Sequence, residues 1–119
     1  MKRYMAIAFP LMMSFVVNAQ PTKDQYDARV RAEMLLKNEA SGIEKMSAED
    51  ANALSLQLIT SMKDINKGQL SKGMNCKEIK EFFDASVGKK FKGEGLDALM
   101  YKTNKYLEAD CAVQSAWMK

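Results

Sequence analysis

Two cysteines, Cys76 and Cys111, stand 35 positions apart, and the stretch SVGKKFKGEG between them, residues 86–95, holds three of the chain's six glycines. Apolar residues recur at helical spacing on both sides of that stretch, at Ile79, Phe82, Phe83 and Val87 before it and at Leu96, Leu99, Met100, Thr103, Leu107, Cys111, Gln114 and Met118 after it. Cys76 lies twelve residues before Gly88 and Cys111 sixteen after Gly95, roughly 18 and 24 Å along two helices. An antiparallel hairpin therefore brings both thiols to similar heights at the end opposite the loop. A disulfide there would close a 35-residue loop and contribute about 3 to 4 kcal/mol by chain entropy. The pair is not a C-x-x-C motif, so the bond reads as structural.

Two more helices precede this hairpin, each opened by a cap signal. Thr22 with Gln25 fits a capping box; the helix after it sets Tyr26, Val30, Met34 and Leu35 on its expected core face and stops around Ser41-Gly42. Ser47 with Asp50 opens the next. Its stripe of Ala51, Leu54, Leu58, Met62 and Ile65, widened by Leu56 and Ile59, marks it as the most buried of the set. Asn66-Lys67-Gly68 is its expected end. Asn75 with Glu78 starts the third, and the fourth begins near Glu94 or Gly95 and runs to Trp117. No stretch alternates as a strand does. The expected fold class is all-α: a small antiparallel bundle of about four helices, with one disulfide stapling its C-terminal hairpin.

The first residues read as a secretory signal: Lys2 and Arg3, an apolar run from Tyr4 to Val17, and Val17-Asn18-Ala19 as the cleavage pattern. The run is shorter than the roughly 20 residues that span a bilayer, so no stable membrane span is expected after cleavage, and no cysteine sits at the cleavage point to carry a lipid. Residues 1–19 are the expected signal and 20–119 a single helical domain. Without Lys2 and Arg3 the 18 basic residues fall to 16 against 15 acidic ones. That balance gives no general attraction for nucleic acid. Two cysteines in an exported chain point to one disulfide, and the bacterial periplasm is the expected compartment, with an extracellular location the alternative.

The composition is poor in catalytic chemistry. Without histidine, the Ser-His and Cys-His pairs and most zinc sites are absent. Glu78, Glu81 and Asp84 alternate with lysines as a solvated helix face does, and Glu49 and Asp50 sit where a helix start favours negative charge. Neither set reads as a catalytic pair, and the chain is not expected to be an enzyme. Met34, Met46, Met62, Met74 and Met100 are scattered singly and read as core filling rather than as a copper site. No cofactor and no metal are expected.

Gly88 and Gly93 have phosphate-loop spacing, but Glu94 stands where the lysine belongs and Gly95 where the hydroxyl does. The stretch is a turn. Phe91 is either folded back over the end of the hairpin, the favoured placement, or exposed among lysines. In the second case Lys89, Lys90, Phe91 and Lys92 are candidate partner-binding residues. Trp117 is another: it covers the core if the last helix continues through it and is exposed if that end frays. The helix–Cys–helix–Cys order is similar in architecture to small periplasmic immunity proteins that neutralise cell-wall-degrading toxins, without a shared motif. The expected function is that of a small exported binding protein acting on another exported protein, as an immunity protein, inhibitor or chaperone. The alternatives are a carrier of a lipid or other apolar small molecule and a structural subunit of an envelope or secretion assembly.

Overall fold

The computed structural model describes residues 20–86 and 96–118. The expected signal segment, and the loop positions Lys89, Lys90, Phe91 and Lys92 with Val87, Gly88, Gly93, Glu94 and Gly95, lie outside the described residues. The described residues form four helices: α1 (Lys23–Ser41), α2 (Ala48–Ser71), α3 (Cys76–Ser86) and α4 (Asp97–Trp117).

Three of the four helix starts use the caps expected from sequence. Thr22 Oγ1 accepts from the Gln25 N–H while Gln25 Oε1 accepts from the Thr22 N–H, a complete capping box. Ser47 Oγ accepts from the Asp50 N–H at 3.1 Å. Asn75 Oδ1 accepts from the Glu78 N–H, and Glu78 Oε1 accepts from the Asn75 N–H. Glu78 is thus engaged at a helix start, where its charge also faces the positive end of the helix dipole. α4 begins after Leu96 without a side-chain cap.

The end of α2 differs from the expectation. The helix passes through Gly68 and continues to Ser71, and it is Gly73, at φ 93°, that takes the left-handed conformation. The Gly73 N–H donates to Leu70 O and the Met74 N–H to Gln69 O, the two bonds of a Schellman motif. A glycine inside a helix costs about 1 kcal/mol relative to alanine. Continuing the helix past Gly68 packs Leu70 against the core.

α4 is the central element, packed against α1, α2 and α3. It buries Leu99, Thr103, Tyr106, Leu107, Asp110, Cys111 and Val113, more than the five residues that α2 buries. α2 is therefore not the most buried helix. Leu56, expected to widen its stripe, is 48% exposed. α1 and α3 run antiparallel to α4: Thr22 and Gln25 lie by Ser115 and Ala116 whereas Arg31 and Leu35 lie by the stretch from Tyr101 to Ala109, and Cys76, Lys80 and Asp84 meet Cys111, Glu108 and Asn104 in reverse order.

The disulfide joins Cys76 at the start of α3 to Cys111 in α4, with 5.8 Å between the Cα atoms. Ile79 and Phe83 of α3 are buried beneath it, while Phe82 is 44% exposed. Met62 is buried, and Met46, Met74 and Met100 pack against the core from its edge.

The face of α1 is the largest correction. Val30, Met34 and Leu35, expected in the core, are exposed, and Ala32, Leu36 and Ala40 are buried instead. Val30 and Met34 stand four residues apart, as do Ala32, Leu36 and Ala40, so periodicity alone fits either face. The inward face also carries Arg29, whose partner Asp110 is fully buried in α4. Satisfying that carboxylate fixes the rotation of α1, because an unpaired buried charge costs far more than leaving three apolar side chains partly in water. Two alanines on the inward face also let the α1 backbone come close to α4.

Candidate functional site

The outcome of that rotation is an open groove between α1 and α4, about 450 Å³ in volume. Ala28, Ala32 and Leu35 line one side at helical steps, and Tyr101, Lys105, Glu108 and Ala109 line the other. The alanines make the trough by being small. Leu35 and Tyr101 stand in its walls, 47% and 57% exposed.

Cations ring this apolar trough. Arg31 lines it from α1, and Lys102 and Lys105 line it from α4. The Lys105 and Lys102 ammonium groups lie 5.4 and 5.8 Å from the centroid of the Tyr101 ring, within cation–π range. Arg31 and Lys102 make no ion pair with any described residue. Among the described residues the one carboxylate in the groove is Glu108, whose two oxygens lie 3.8 Å from Lys105 and from Lys80 of α3. Beside the groove a smaller hollow of about 80 Å³ is lined by Lys80, Tyr101, Asn104, Lys105 and Glu108. Tyr101, Lys105 and Glu108 form the wall common to both.

Behind the groove the core contains a polar cluster. Asp110 Oδ1 accepts from Arg29 Nη1 at 2.9 Å. Its Oδ2 accepts from Asn66 Nδ2 at 2.9 Å and from Gln114 Nε2 at 2.7 Å. Asn66 also donates to Leu107 O, and Gln114 to Lys63 O. One carboxylate thus ties α1, α2 and α4 together. Tyr106, also fully buried, has its phenol pushed well above the ordinary value, first by burial and then by the charge of Asp110. Its hydroxyl and Asn66 Oδ1 are buried without a hydrogen-bond partner. The cluster serves stability and helix orientation, since its carboxylate is sealed from solvent.

Of the residues expected from sequence to form a site, Cys76 and Cys111 are bonded to each other. Trp117 remains helical and yet is 56% exposed. It lies sixteen residues from Tyr101, roughly 24 Å along the helix, and does not join the groove. Sequence reasoning missed Arg31, Leu35, Tyr101, Lys102 and Lys105 as a group. The signal available was an aromatic with lysines one and four positions later in a helix; its partner wall on α1 could not be placed without knowing which face of α1 turns inward. Among the described residues no cluster of metal-ligating side chains is present, and no helix is long and apolar enough to cross a membrane. Comparison with protein-family models, curated proteins and solved structures finds no match to this chain.

Proposed function

We propose that this chain is a small exported binding protein that acts through protein–protein interaction, in the manner of an immunity protein, inhibitor or chaperone. The observation that carries the reading is the α1/α4 groove, an apolar trough with exposed Leu35 and Tyr101 and a rim of Arg31, Lys102 and Lys105. Its residues stand on two helices held by a half-buried ion pair and a disulfide-braced core, so the surface is pre-organised and binding loses little conformational entropy. An aromatic and an arginine beside an apolar pocket are the side chains that dominate interface energies. The groove is open, which suits a segment of a larger partner better than a ligand that must be enclosed. The N-terminal signal pattern supports export, so the partner sought is another exported protein.

Photo-crosslinking from a benzophenone amino acid at position 101 or 35 tests this in cells that produce the protein. We expect one stoichiometric protein adduct from both positions, absent when Lys102 and Lys105 are changed to Glu. The same adduct from position 52, on the exposed side of α2, or none from the groove would remove the reading. Native mass spectrometry provides the contrast: a reproducible small-molecule mass lost on delipidation would favour a carrier.

A further inference from the structure

We propose that the α1/α4 groove takes a partner segment bearing a carboxylate next to an apolar side chain, and that Glu108 is the internal carboxylate this segment displaces. The proposal rests on the reading of the groove as a partner-docking site and adds the chemistry of the occupant.

Charge identifies that chemistry. Arg31, Lys102, Lys105 and Lys80 stand with Tyr101 in the walls of the two hollows, and among the described residues Glu108 is the one acid lining either of them. At 3.8 Å from both Lys80 and Lys105, Glu108 is beyond hydrogen-bond length to each. Ion pairs this long and this exposed contribute little. Its carboxylate therefore lies between two ammonium groups without holding either one firmly. An incoming carboxylate meets the same ammonium groups, with Arg31 and Lys102 in addition, while its neighbouring apolar side chain fills the trough between Leu35, Tyr101 and Ala109. Concavity separates this occupant from a lipid surface: insertion into a bilayer needs apolar groups that protrude, whereas a trough receives one.

The test is an amide-resolved NMR titration of the purified protein with two acetylated, amidated peptides, Leu-Glu-Glu-Leu and Leu-Gln-Gln-Leu. Vesicles of phosphatidylcholine and phosphatidylglycerol serve as a third probe. The acidic peptide is expected to shift the amides of Leu35, Tyr101 and Ala109, and the neutral one to leave them in place. Glu108→Gln should bind the acidic peptide about two- to fivefold more tightly, the range of one exposed ion pair. Asp64→Asn, an equal change of charge on α2 outside the groove, should not. Groove shifts with no gain in Glu108→Gln would overturn the role of Glu108 and leave the docking reading standing. No groove shifts in either protein would overturn both. Vesicle binding without peptide binding would replace the protein segment with an anionic membrane surface.

Discussion

Arg29 Nη1 donates to Asp110 Oδ1 at 2.9 Å across 81 positions of sequence, and the carboxylate it reaches is fully buried while the arginine side chain stays 28% exposed. The pair joins α1 to α4 and decides which side of α1 faces the core. Its desolvated half is the acid, so the two partners are not equivalent to remove. Arg29→Met leaves Asp110 buried with only amide donors and should cost about 2 to 4 kcal/mol. The double change Arg29→Met with Asp110→Leu should cost less than the single one, because the charge leaves with its partner. Urea unfolding of both variants measures this; equal losses would mean that a stranded Asp110 charge is not what the single change costs.

The Cys76–Cys111 bond closes a 35-residue loop and pins the short helix α3. An 11-residue helix is marginal by itself, so its burial of Ile79 and Phe83 depends on being held. Replacing both cysteines with alanine should lower stability by about 3 to 4 kcal/mol. Thermal unfolding followed by circular dichroism should show a melting temperature lower by about 12 °C or more. Hydrogen exchange should show α3 losing protection before α1 and α2.

Gly68 and Gly73 should respond oppositely to alanine. Gly68 is within α2 with open space where a Cβ would stand, so Gly68→Ala should stabilise by about 0.5 to 1 kcal/mol. Gly73 has φ 93°, a conformation that costs other residues about 1 to 2 kcal/mol, and Gly73→Ala should destabilise accordingly. Chemical denaturation of the two variants locates the end of α2 directly. A stabilising effect at both positions would contradict the Schellman ending.

Burial raises the Tyr106 phenol above the ordinary tyrosine value near 10. Above that pH the unfolded chain releases this proton and the folded chain keeps it, so the linkage favours unfolding. Stability from this group is therefore fully present below about pH 10 and is lost as the pH rises beyond it. Tyr106→Phe should flatten this alkaline decline. It should also be close to neutral near pH 7, because the hydroxyl removed has no hydrogen-bond partner. Denaturant midpoints from pH 8 to 12, with phenolate absorbance followed in parallel, test both statements.

The parts of the fold legible in the sequence were those decided within a few residues. Thr22, Ser47 and Asn75 each cap the helix expected of them, since the groups a cap bonds lie three positions away. The cysteine pairing was legible because two helices of known rise fix the relative heights of Cys76 and Cys111. Trp117 was legible only as a choice between two outcomes: its helix persists, as one outcome required, and its ring is exposed, as the other did. Arg31, Tyr101, Lys102 and Lys105 were not legible as a site, since half of the groove belongs to α1 and its inward face was assigned to Val30 and Met34.

The sequence by itself determined an all-α chain, the starts of three helices and the bond between Cys76 and Cys111, because capping, periodicity and helical rise are properties of neighbouring residues. Only the tertiary structure decided that Asp110 is buried, that Arg29, Ala32, Leu36 and Ala40 rather than Val30 and Met34 turn inward, and that a basic-rimmed groove opens beside them. The physical reason is that a buried carboxylate must find its cation. Satisfying Asp110 outweighs covering an apolar stripe, and which residues can reach it depends on helices distant in the chain.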